Sequence, residues 1–92
     1  MTAPVRAPLD WLLETTARRL PTLAPHAPLT PGHLALIAEL TIWDWHGTAG
    51  PTEESRADAQ ALRDAFDRLP IAGATRDEYA ARLRLAAQGV AL

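Results

Sequence analysis

Cysteine is absent from the 92 residues of this chain. That excludes disulfides, thiol catalysis and cysteine-based zinc sites together, and with them the stapled scaffolds of small secreted domains. Lysine is absent too: all nine basic residues are arginine, which reads as codon bias in a GC-rich genome. No apolar stretch approaches the roughly 20 residues needed to cross a bilayer. The opening MTAPVRAPLDWL also lacks the charged start and apolar run of a secretion signal. A soluble cytoplasmic protein is expected.

An excess of positive charge is likewise missing. The formal net charge is −2. Residues 1–20 carry three arginines against two acids, 30–50 two acids alone, 51–69 three arginines against five acids, and 70–92 three against two. DNA-binding domains draw most of their affinity from phosphate neutralisation and show a basic face, so the charge pattern speaks against nucleic acid. A chain this short is expected to form one domain, residues 1–92, burying about 60 to 65% of its unfolded surface. Hydrophobic residues make up 48%, but alanine supplies much of that share, and alanine favours helix while burying little area.

What is present is four helical segments with apolar residues at 3.6-like spacing. The first runs from Pro8, suited to the first helical position, to Leu20, with Leu9, Leu12, Leu13, Thr16 and Leu20 as its buried stripe. Arg18 and Arg19 complement the helix dipole in its last turn, and Pro21 stops it. Residues 1–7 are left as an N-terminal arm. Residues 21–29, PTLAPHAPL, hold three prolines and form an extended connector tacked down by Leu23 and Leu29.

Thr30 caps the second helix, Pro31 opens it, and Gly47 after His46 ends it as a left-handed cap. Thr52 caps the third, with Glu53 and Glu54 in its first turn. Leu62, Ala65, Phe66 and Leu69 form its apolar face, and Arg56, Gln60, Arg63, Asp64, Asp67 and Arg68 the other side. Asp64 and Arg68 have the spacing of an ion pair worth about 0.3 kcal/mol. Thr75 and Glu78 have capping-box spacing at the start of the fourth helix, which buries Tyr79, Leu83, Ala86 and Val90, sets Glu78 beside Arg82, and ends near Gly89. The expected fold is all-α, a compact bundle of four helices with a proline-rich connector between the first and second.

The most informative segment is Leu34 to Trp45, LALIAELTIWDW. Wound at about 100° per residue, its apolar side chains cover nearly the whole circumference, and only Glu39 and His46 share a polar strip. Such a helix must be wrapped by other helices or by another chain. The single stripes of the other three helices can wrap most of a central helix, so most of this circumference is expected to be core. The Trp43 side near Glu39 is then the part left for a partner.

No catalytic or cofactor motif stands out. His26, His33 and His46 would be the first source of acid-base or metal chemistry. His33 and His46, however, lie near opposite ends of one helix, about 20 Å apart, and cannot share an ion within one chain. His46 is expected to be solvent-exposed or helix-capping, within reach of Asp44, Glu53 or Glu54. Glu39 either marks the exposed strip or is buried against an arginine such as Arg82 or Arg19. Trp11 falls roughly opposite the leucine stripe, where it either packs under the arm or connector or contacts a partner. With Trp43 nearby it would form a docking patch. The last two helices have the outline of a helix-turn-helix carrying Arg76, Arg82 and Arg84, but Asp77 and Glu78 occupy the end that should meet bases.

The segment LPIAGATRDEYAARLRLAAQGVAL, following LTPGHLALIAEL, resembles a small uncharacterised helical family of GC-rich actinobacteria. Its members share a proline-preceded, acid-started last helix and a Leu-Ala-Ala-X-Gly tail. The resemblance covers about the last two thirds of the chain. It departs at the end, where Val90, Ala91 and Leu92 stand in place of Trp-Pro-Leu. It implies a small helical bundle and no activity.

The function expected is a non-enzymatic protein–protein interaction or adaptor module, as a homodimer or docked subunit. Its interaction residues are Trp11, Ile37, Glu39, Trp43 and His46, and no catalytic residue, cofactor or metal ligand is assigned. The alternative is a DNA-associated regulator using the last two helices. A third reading is a small-ligand binder or enzyme with a pocket beside Trp43 and Glu39.

Overall fold

Proline 8 starts the fold from outside its first helix. Its ψ of 141° is extended, and its carbonyl accepts the first helical bond, from the Leu12 N–H at 3.1 Å. It therefore serves as the cap residue rather than the first helical one. The computed structural model describes residues 6–89; most of the arm at 1–7, Val90 and the two residues after it lie outside these. Helix α1 (Leu9–Arg19) runs into a short 3-10 turn, Leu20–Thr22. Helices α2 (Pro31–His46), α3 (Glu53–Arg68) and α4 (Arg76–Ala87) follow. The threonines named from sequence cap α2, α3 and α4, accepting from the backbone N–H groups of His33, Ser55 and Glu78. The described residues thus form an all-α bundle.

The helix at the centre is α1, which meets α2, α3 and, most extensively, α4. Leu12, Leu13, Thr15, Thr16, Ala17 and Leu20 are all buried. Ala17 and Ala80 are both fully enclosed, and such small side chains let helices approach closely. Thr15 and Ala17 widen the buried face of α1 beyond the stripe that periodicity gives it, and its threonines are suited to burial. The Thr16 hydroxyl donates to the Leu12 carbonyl at 2.8 Å, and Thr41 on α2 does the same to Ile37 at 2.9 Å. The two hydroxyls lie 3.2 Å apart across the α1–α2 contact. With its polar atom satisfied locally, a threonine packs as core. Leu9, placed on the buried stripe, is exposed instead.

The connector is held by backbone bonds more than by leucines. Leu29 is buried, but Leu23 is 76% exposed. The Leu29 N–H donates to the Ala74 carbonyl, and the first two N–H groups of α4, from Arg76 and Asp77, donate to the carbonyls of Ala27 and Pro25, at 3.0 to 3.1 Å. The Arg76 guanidinium adds a bond to the Leu23 carbonyl at 2.7 Å. Gly47 ends α2 with φ +80° and ψ −179°, a conformation essentially confined to glycine and different from the left-handed cap expected.

Candidate interaction surface

Helix α2 leans on α1 and α3 with one side only. Leu34, Ile37, Thr41 and Ile42 are buried, whereas Ala35, Leu36, Glu39 and Trp43 face solvent. Leu36 is 52% exposed and Trp43 44%. At 100° per residue these four occupy one continuous arc, and Glu39 is its single charge. The Trp43 side near Glu39 is left uncovered as expected, but α2 is not the central helix wrapped by the other three, because α1 takes that place.

Beside the arc, α2 and α3 diverge into a cleft of about 820 Å³. Leu34, Ala38 and Ile42 line it from α2, Ala59 and Phe66 from α3, and Ile71 from the turn beyond. Alanines at positions 38 and 59 keep the walls low, which is what opens the space. Glu39 and Trp43 stand on the α2 rim, and Arg56, Arg63 and Asp67 on the α3 side.

A buried carboxylate ties α3 to α2. Asp58 is fully enclosed and accepts from the Ala7 N–H at 2.9 Å, from the Arg6 Nε at 2.5 Å, and pairs with the His46 Nε2 at 2.7 Å. Burial pushes the Asp58 carboxyl up, but the Ala7 N–H, the Arg6 guanidinium and His46 together hold it below its ordinary value. His46 is therefore neither solvent-exposed nor paired with Asp44, Glu53 or Glu54. Its side chain is 8% exposed, because Asp58, on the stripe of α3 that also carries Leu62, draws it inward. The pair is enclosed by protein and fastens α2 to α3.

The remaining residues singled out from sequence separate into two groups. Glu39 and Trp43 are brought together on the open surface. Ile37 is buried, and the Trp11 ring packs edge-on against Trp45 with centroids 5.0 Å apart at 64°, so Trp11 and Trp43 form no common patch. Arg19 pairs with Asp44 across α1 and α2, not with Glu39. Arg82 turns to the Pro70 carbonyl at 3.4 Å. With Arg76 also committed to a carbonyl, two of the three arginines of α4 point back into the fold. Asp64 bonds Gln60 at 2.9 Å, and Glu78 bonds the Thr75 N–H at 2.9 Å.

Asp58, Arg6 and Ala7 went unrecognised in the sequence. The available signal was that Asp58 lies four residues before Leu62 and seven before Ala65, on the apolar face of its helix. Among the described residues, no three His, Asp or Glu side chains cluster as a metal site, and no helix is long and apolar enough to cross a membrane. No protein-family model matches the chain, and neither a curated protein nor a solved structure is significantly similar to it.

Proposed function

We propose that the protein is a cytoplasmic, non-enzymatic protein–protein interaction module whose docking surface is the outer arc of α2 with the adjoining α2–α3 cleft. The observation that carries this reading is the half-exposure of Leu36 and Trp43 on an arc with one charge. Contiguous exposed apolar surface marks interaction sites, and tryptophan is the residue most enriched at interface centres. A groove of this kind suits the apolar face of an amphipathic helix.

The test is a photo-crosslinking residue at position 36, compared with one at exposed Glu14 on α1. Illumination in cells is expected to give protein adducts from position 36 and none from position 14. Equal labelling at both positions, or none at either, would sink the reading.

A second reading draws on the cleft's size, since about 820 Å³ falls within the range of small-molecule pockets, roughly 300 to 1,000 Å³. Its apolar lining suits a hydrophobic ligand. Titration with apolar ligands should then change the tryptophan emission, and the change should vanish in Trp43→Phe.

A further inference from the structure

We infer that the occupant of the cleft is a second copy of this chain, in an antiparallel two-fold dimer that seats each Trp43 in the other copy's cleft and each Glu39 against the other's Arg63. The inference rests on the docking reading above and specifies its partner.

The outer arc of α2 has the chemistry that the cleft accepts, being apolar with a single carboxylate. The cleft walls differ in charge: Glu39 stands on the α2 side, and Arg56 and Arg63 outnumber Asp67 on the α3 side. Glu39 and Arg56 form no side-chain bond with any described residue, and Arg63 bonds only the neutral Gln60, at 2.9 Å. A carboxylate on one wall and guanidinium groups on the other make the surface self-complementary, as an isologous contact requires.

The His46–Asp58 contact fixes the register of the two antiparallel helices. With a rise of 1.5 Å per residue, Glu39 lies about 10.5 Å along α2 from this fastening, and Arg63 about 7.5 Å along α3. A two-fold axis crossing the helices about 9 Å from the fastening, level with Leu40, exchanges those two levels. The same axis carries Trp43 from a level of about 4.5 Å to one of about 13.5 Å, next to the partner's Ala38 and Phe66 at about 12 Å. Ala38 leaves room there for an indole, and Phe66 is a half-buried wall of the cleft. One placement of the axis therefore brings both the charge pair and the aromatic pair to matching levels along the helices, twice per dimer.

Light scattering on the purified full chain over a concentration series reads the result. The wild type is expected to approach about twice the 10.0 kDa chain mass and to fall toward the monomer on dilution. Glu39→Arg and Arg63→Glu should each weaken association by about tenfold or more, and the double variant should restore it. Trp43→Ala should leave a monomer with unchanged helical circular dichroism. A monomer at every concentration, a dimer indifferent to these substitutions, or a double variant that restores nothing would overturn the dimer. If the chain is monomeric but position 36 crosslinks to a different protein, the dimer fails while the docking reading stands; with no adduct at all, both fail.

Discussion

Asp58→Ala lowers the stability of the fold by about 3 kcal/mol and its thermal midpoint by roughly 15 °C. The loss comes from donors left without an acceptor. The Ala7 N–H and the His46 Nε2 are held by this carboxylate at 2.9 and 2.7 Å in an enclosed site, and each stranded buried group costs about 1 to 3 kcal/mol. Arg6 adds less, because its side chain is 53% exposed and water screens its charge. Against a total of about 5 to 15 kcal/mol for a small domain, the change is large enough for chemical denaturation to read directly.

The pH dependence has a definite sign. The Asp58 carboxyl is held below its ordinary value in the folded state, so its stabilising contribution is complete above the unfolded value, about 4, and disappears as pH falls through the lower folded one. Acid unfolding of the wild type should therefore steepen in that window, and Asp58→Asn should flatten this part of the curve. An acid limb unchanged in Asp58→Asn would show that the carboxylate is not the group responsible.

Tyr79→Ala has the largest expected effect, about 4 kcal/mol. Tyr79 is fully buried, packs edge-on against Phe66 with ring centroids 6.4 Å apart, and donates its hydroxyl to the Leu69 carbonyl at 2.6 Å. Its removal leaves a cavity where α4 meets the end of α3. Tyr79→Phe separates the two contributions: it retains the ring and loses about 1 kcal/mol with the hydrogen bond. Burial pushes the phenol up to about 12. A raised folded value means that this contribution is whole below the unfolded value, about 10, and is lost as pH rises through the folded one. Tyr79 is the only tyrosine in the chain, so its ultraviolet titration reports the shift without interference. A phenolate that titrates freely near 10 in the folded protein would contradict the buried position.

The helices themselves were legible because their starts are written in local chemistry. Thr30, Thr52 and Thr75 each accept a bond from three residues onward, and nothing distant is needed to recognise them. At Thr52 the reciprocal partner is Ser55, whose hydroxyl accepts from the Thr52 N–H at 2.8 Å, where the sequence suggested only the charges of Glu53 and Glu54. The unusual apolar girth of α2 was equally legible, as was the pairing of Glu39 with Trp43 on its outer side.

What periodicity cannot supply is the identity of the element that a face meets. Spacing places Trp11 away from the leucine stripe of α1, but only the three-dimensional crossing of α1 and α2 sets it against Trp45. The same applies to Asp58, whose partners Arg6 and Ala7 are about fifty residues away in sequence. The central place of α1 is hard to see for a chemical reason: Thr15 and Ala17, which lie off its expected stripe, bury as completely as leucine but weigh little on a hydrophobicity count.

The bonds between the connector and the start of α4 bear on how the chain assembles. A helix ordinarily leaves its first four N–H groups to solvent or to a local cap. Here the donors of Arg76 and Asp77 are taken by the carbonyls of Ala27 and Pro25, that of Glu78 by the Thr75 hydroxyl, and that of Thr75 by the Glu78 carboxylate. The first turn of α4 thus depends on atoms from the other half of the molecule, and the connector's carbonyls depend on donors synthesised far later. Apart, each half hands these groups to water. Opening one end of this joint opens both, so the start of α4 and the connector belong to a single cooperative unit, and that unit closes only after most of the chain has been made.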